Sequence, residues 1–208
     1  MQKARMNPKT YRLVLSAVMI ALATLLSMIQ VYSLPMGGSI TLFSQVPIII
    51  VSWLFGVPWG LLTGFVMGLI QMIMGASNFG YVSGPLAYTI LVLMDYVFPF
   101  TFLGLGGIFK KILKNRELAI GLGGLLVSAI RFVCHFISGI TIWGAFASDK
   151  TMGAICLYSL TYNGSYMLGE AIITVIGCVL VSRFLLPRLS GEAPQTSVVE
   201  SDVQELKK

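Results

Sequence analysis

Apolar residues along this chain neither alternate nor keep to one helical face; they run on in long blocks, interrupted by Gly, Pro and short polar clusters. A helix needs about 20 apolar residues at ~1.5 Å each to cross the hydrocarbon core. Six segments approach that length: 11–31, 39–55, 58–75, 84–109, 118–145 and 153–186. The second and third are short, and Gly56-Val57-Pro58 barely separates them, which predicts tilt or a break. The sixth exceeds a simple span and is expected to leave the membrane before Pro187. The pattern predicts an all-α integral membrane protein with six transmembrane helices in one domain, residues 1–188. Residues 189–208 are polar, with Gly191, Pro194, Ser197 and Ser201, and read as a disordered cytoplasmic tail.

Charge orients the bundle. Basic residues in short loops mark the cytoplasmic side. Lys3, Arg5, Lys9 and Arg12 precede or open the first segment; Lys110, Lys111, Lys114 and Arg116 fill the gap after the fourth; Arg183, Arg188, Lys207 and Lys208 close the chain. With six spans all three clusters fall on one side, so both termini are expected in the cytoplasm. The intervening loops carry only Asp149 and Lys150. A cleavable leader is the rival reading of the first segment, with Ala21-Leu22-Ala23 as a small-residue site. The apolar run continues through Ile29, however, which favours a retained helix.

Composition narrows the function. Of 208 residues, 56% are apolar and 11% charged, and the mean hydropathy is +0.87. A soluble domain carries about 25% charged residues, so a soluble enzyme, a disordered chain and a nucleic-acid reader are excluded despite the net charge of +6. Cys134, Cys156 and Cys178 lie in separate apolar segments without a C-x-x-C pair, so neither a disulfide framework nor a metal site is indicated. No phosphate loop, H-E-x-x-H or G-x-S-x-G elbow occurs, so the chain is expected not to be an enzyme.

Ionisable groups deep in a bilayer cost about 2.5–3.5 kcal/mol or more each and point to function by default. Four fall inside the predicted spans: Asp95, Arg131, His135 and Glu170. Counting from the outer helix ends, Asp95 lies roughly 16 Å deep, and His135 and Asn163 roughly 15 Å each. Those three read as a binding site reached from outside. Arg131 and Glu170 come out deeper, at roughly 21 and 25 Å, and read as a structural ion pair. A lone intramembrane Asn or His often bonds only a neighbouring helix, worth about 0.6 kcal/mol; convergence at one depth is what favours a site.

Aromatic residues gather at the same end: Trp143, Tyr158, Tyr81, Tyr88 and Tyr96. An interfacial belt alone would account for them. The alternative is a stacking cage, in which a cation gains about 0.5–2 kcal/mol per contact and Asp95 supplies the counter-charge. Tyr88 and Asp95, seven apart, are expected on one face. A flat, cationic, hydrogen-bonding small molecule suits such a cage. Gly60, Gly64 and Gly68 predict close helix packing. Ala17 and Ala21, beside Ser16 and Ala23, form a second small-residue stripe that either packs internally or faces another protein.

Several segments resemble a known family. Arg131-Phe-Val-Cys-His135-Phe-Ile-Ser-Gly139, then Trp143, then Tyr158-Ser-Leu-Thr-Tyr-Asn163 are similar to the thiamine-specific substrate-binding (S) component of energy-coupling-factor (ECF) vitamin transporters, the ThiT type. Leu34-Pro-Met-Gly-Gly-Ser-Ile, Gly60-Leu-Leu-Thr-Gly64, Gly68-Leu-Ile-Gln71 and Asp95-Tyr96 extend the likeness over about residues 10–188. The resemblance implies a six-helix monomer of the bacterial plasma membrane that captures thiamine with high affinity. It implies docking on a membrane-embedded coupling protein (T component) and a pair of ATP-binding-cassette ATPases, which bind the ATP. No cofactor is implied on this chain, thiamine being its cargo. Asp95 takes the place of an acidic ligand-facing residue, while His135, Trp143, Tyr158 and Asn163 match other ligand contacts. Ala17 and Ala21 match the stripe that docks on the coupling protein. Some relatives carry Glu in place of Asp95, and a tryptophan where this chain has Met36-Gly37-Gly38, so loop 32–38, with 76–83, would form a lid that does not stack. The rival functions are an S component for another vitamin and a stand-alone secondary transporter or channel; a lipid-modifying enzyme is disfavoured by the single histidine.

Overall fold

The computed structural model describes residues 7–190. Its helices are α1 (Pro8–Met28), α2 (Val46–Phe55), α3 (Val57–Met74), α4 (Pro85–Lys111), α5 (Arg116–Thr141), α6 (Met152–Phe184) and the short α7 (Leu186–Ser190). All but α2 and α7 are long and apolar enough to cross a membrane. Local chemistry starts them: Asn7 accepts from the Lys9 amide ahead of Pro8, and Asn115 accepts from the Leu118 amide. The Thr151 hydroxyl does the same for the Ala154 amide at the head of α6.

The helices alternate in direction. At one end Arg12 lies over the Trp59 ring, Tyr11 packs edge-on against Phe55, and Lys110 donates to the Trp53 carbonyl. This basic end gathers the start of α1, the α2–α3 turn and the foot of α4. The opposite end carries a two-stranded antiparallel hairpin, β1 (Gln30–Ser33) and β2 (Ser39–Thr41), and the turn Ala76–Tyr81.

The chain is predominantly helical, as expected of an all-α membrane protein, with a short hairpin around loop 32–38. One expectation is corrected here. The second predicted span began at residue 39, yet the helix covers only Val46–Phe55, about 15 Å or half the hydrocarbon thickness. Its first part is diverted: Ser39–Thr41 pairs with β1, and Phe43 takes a left-handed backbone with φ 60°. What remains of α2 is sheathed by other helices, with every residue from Val46 to Trp53 buried. By contrast α1 buries only Ser16, Met19 and Ala23 and turns Leu13, Val18 and Leu25 outward, as a helix against lipid does. Of the predicted tail, Leu189 and Ser190 end α7, and the remainder lies outside the described residues.

Packing at the basic end depends on missing side chains. A Cβ at Gly104 would meet the Gly60 and Leu61 backbone, and one at Gly123 would meet the Gly106 carbonyl. The predicted glycine stripe of α3 thus lies against α4, where backbones touch without intervening side chains.

α4 is not a uniform helix. Its middle, Leu91–Val97, winds in wide turns; the Phe98 amide bonds the Leu93 carbonyl five residues back. Pro99 supplies the reason: it has no N–H for the carbonyl of Asp95, four residues earlier. The widened turn falls at Asp95 itself.

Candidate functional site

The hairpin end encloses a cavity of about 570 Å³, within the range that holds drug-sized ligands, about 300–1,000 Å³. Asp95 on α4 projects to it with three donors on its carboxylate. His135 Nδ1 is 3.1 Å from Oδ1, and the Ser138 hydroxyl and Trp143 indole donate to Oδ2 at 2.7 and 2.9 Å. His135 and Ser138 are three apart on α5, and Trp143 follows in the turn Trp143–Phe146, so one helix end supplies all three. The Asp95 and His135 side chains keep 14% and 12% exposure, enough to meet a ligand. No guanidinium bridges Asp95 among the described residues.

α6 forms the facing wall. The Asn163 amide donates to the His135 carbonyl at 3.2 Å and the Ser159 carbonyl at 3.0 Å, while its oxygen accepts from Tyr166 at 2.9 Å. Asn163 therefore braces α5 against α6 and holds the histidine's backbone. Tyr158, Tyr162 and Tyr166 form a ladder with ring centroids 6.0 and 5.9 Å apart.

The hairpin tip closes over this ladder. The Tyr162 hydroxyl donates to the Pro35 carbonyl and accepts from the Gly38 amide at 3.2 Å. Tyr158 approaches the Met36 sulfur at 3.9 Å. Met36 and Gly37 both have positive φ, 66° and 93°, and the turn brings Met36 to the cavity wall. From the far side Asn78 donates to Tyr96, whose hydroxyl donates to the Gly75 carbonyl at 2.9 Å.

Asp95, His135, Trp143, Tyr158, Asn163 and Tyr96 thus line one cavity. Tyr81 and Tyr88 do not. Tyr81 packs on Trp143 and Phe146 from outside, and Tyr88, 40% exposed, stacks on Phe79. The expectation that Tyr88 shares a face with Asp95 fails because wide turns advance each residue less about the axis, so seven residues no longer close two turns.

Arg131 and Glu170 also reach this cavity instead of forming a separate layer. Their closest approach, Nη1 to Oε1, is 3.8 Å, too long for a hydrogen bond. Glu170 is bonded elsewhere: the Thr41 amide at 2.6 Å, the Thr41 hydroxyl at 2.7 Å and the Gln45 amide at 3.1 Å. The ion pair read from sequence is a loose contact, and the carboxylate's main task is to hold the foot of the hairpin. Ser138, Thr41 and Gln45 were not singled out in the sequence; only a search for hydroxyls and amides one turn from His135 or facing Glu170 would have raised them. Ala17 and Ala21 lie on the exposed side of α1.

A helical bundle with membrane-length apolar helices and an enclosed, polar-lined cavity at one end defines a membrane-embedded protein built around a small ligand. The family model described as "Thiamine transporter protein (Thia_YuaJ)" matches residues 13–189, and the chain belongs to that family. It is 33% identical over 190 residues to "Thiamine transporter ThiT" of Bacillus subtilis (strain 168), covering 86% of this chain and 93% of the relative. A second protein of that name, from Lacticaseibacillus paracasei, is 27% identical over 143 residues, covering 64% of this chain and 68% of the relative. The fold matches a solved structure of ThiT from Listeria monocytogenes with a TM-score of 0.71 at 22% identity, covering 88% of this chain and 99% of that one. The family is one of transporters rather than enzymes.

Proposed function

We propose that this chain is the high-affinity thiamine-binding S component of an ECF-type, ATP-driven vitamin importer in the bacterial cell membrane. What carries the reading is Asp95: an intramembrane carboxylate that lines a cavity, is held by His135, Ser138 and Trp143, and has no lysine or arginine bridged to it among the described residues. Such a group is tolerated where a partner charge arrives with the ligand. Thiamine's thiazolium ring brings a permanent positive charge, and the name of the Bacillus relative supports that cargo.

Asp95 offsets the thiazolium charge. The Trp143 ring, held by its indole bond to Asp95, and the tyrosine ladder offer faces to the flat rings. His135 and Tyr158 are placed to bond the aminopyrimidine, with Asn163 fixing their helices in register. The hairpin tip and the Ala76–Tyr81 turn cover the bound vitamin. The basic end faces the cytoplasm, following the lysine and arginine clusters, and both termini lie there. The exposed stripe at Ala17 and Ala21 is the docking face for the coupling protein, and ATP acts on the ATPase partners, with no cofactor on this chain.

Titration of the purified protein by tryptophan fluorescence against a panel of vitamins tests the cargo. Saturable quenching by thiamine, with no response to neutral or anionic vitamins, is the expected result; a tighter response to another vitamin would overturn the assignment. Co-purification with the coupling protein and ATPases, abolished by Ala17→Trp with Ala21→Trp, tests the assembly against a stand-alone transporter.

A further inference from the structure

Glu170 and Arg131 are in an unusual relation. The carboxylate is 3% exposed and takes its bonds from the foot of the hairpin, at Thr41 and Gln45. Arg131, 8% exposed, stands 3.8 Å away over the Phe100 ring, and its Nε and Nη1 have no hydrogen-bond partner among the described residues. A buried guanidinium ordinarily engages a carboxylate through a two-pronged fork at about 2.7–2.9 Å. Here the fork is present, the carboxylate is within about 1 Å of it, and the hairpin already occupies the oxygens.

We propose that Glu170 is handed between two sets of donors: the hairpin foot while the lid is closed, and the Arg131 fork when the lid lifts. The inference rests on the reading that ligand enters past this hairpin. Lifting residues 39–45 with no second partner would leave a buried, bare carboxylate, which is strongly unfavourable. Arg131 removes that barrier by receiving the charge at the moment Thr41 leaves it. In the closed form the arginine's Nε and Nη1, unpaired among the described residues, are the counterpart of the same exchange. The tip is held by neutral partners, through two bonds of the Tyr162 hydroxyl and the Met36 sulfur, whereas the foot donates to a carboxylate, so the foot sets how readily the lid opens. In this exchange Glu170 and Arg131 act as positioning residues for the lid.

The hand-over predicts a sign that a static ion pair does not. Hydrogen–deuterium exchange is followed on the full chain in detergent, without vitamin, in the peptide covering residues 30–41. Glu170→Gln weakens the closed grip and should speed exchange by about tenfold. Arg131→Met takes away the open form's partner and should slow exchange by about tenfold, and Arg131→Lys, charged but without the fork, should fall between Met and wild type. A static ion pair predicts faster exchange for Arg131→Met. Exchange in either Arg131 variant that is faster than wild type, or unchanged, overturns the proposal, and Lys alone decides if Met does not fold. Because no vitamin is present, this result stands apart from a failure of thiamine to bind the wild-type protein.

Discussion

The two ends of this bundle are built on opposite terms. At the basic end α3, α4 and α5 meet backbone to backbone through Gly60 with Gly104 and Gly106 with Gly123, and isoleucines and valines of α2 fill the rest. At the hairpin end polar side chains bond one another and nearby backbone around a cavity, as in the Asp95, Asn163 and Glu170 clusters, with aromatic rings packed beside them. The first arrangement has one geometry and no slack. The second is a set of exchangeable bonds around a volume kept open. Close packing is concentrated in one half, and the open volume in the other.

Variants that separate the halves should behave accordingly. The largest effect is expected from Gly123→Val, which drives a side chain into the Gly106 carbonyl. Overpacking of this kind costs about 3 kcal/mol or more, so the melting temperature in detergent should collapse along with the yield of folded protein. A tolerated valine would show that the basic end is less tightly closed than described. Next, Trp143→Phe keeps a ring but removes the indole donor from Asp95. A bond to a charged acceptor is worth about 1.5–3 kcal/mol and is made before ligand arrives, so the melting temperature in detergent should fall by several degrees, and thiamine affinity by calorimetry roughly tenfold as the ring and Asp95 lose their fixed pose. Tyr162→Phe removes two bonds between α6 and the hairpin tip, neutral bonds of about 0.5–1.5 kcal/mol each. Stopped-flow measurement should show thiamine leaving roughly fivefold faster. Smallest of all, Tyr88→Leu touches only the outer stack on Phe79, and its thiamine affinity should stay within about twofold of wild type; a larger loss would return Tyr88 to the site.

The same division governs what could be read from sequence. Long apolar runs need no partner to be recognised, so five of the predicted helices appear within a few residues of their expected bounds. Asp95 and His135 stood out because a charge in such a run is expensive wherever it points. Ser138 gave no such signal: a hydroxyl in an apolar helix is cheap, and its value comes only from meeting Asp95. The hairpin was hidden because Ile40, Leu42 and Phe43 continue the apolarity of α2, while the bonds that divert them come from Glu170, far along the chain. The displacement of Tyr88 has a local cause in Pro99, but it shows only when the missing amide is traced back to Asp95.

The role proposed for the Asp95 carboxylate is to meet the positive charge of the vitamin's ring. Its most direct test is a cycle of binding constants: wild type and Asp95→Asn, each titrated with thiamine and with a neutral isostere whose ring lacks the charged nitrogen. Asp95→Asn should weaken thiamine by at least tenfold, about 1.4 kcal/mol, and the neutral isostere by less than about threefold. Equal losses for the two ligands would contradict it, since the carboxylate would then be acting through shape and hydrogen bonding and not through charge.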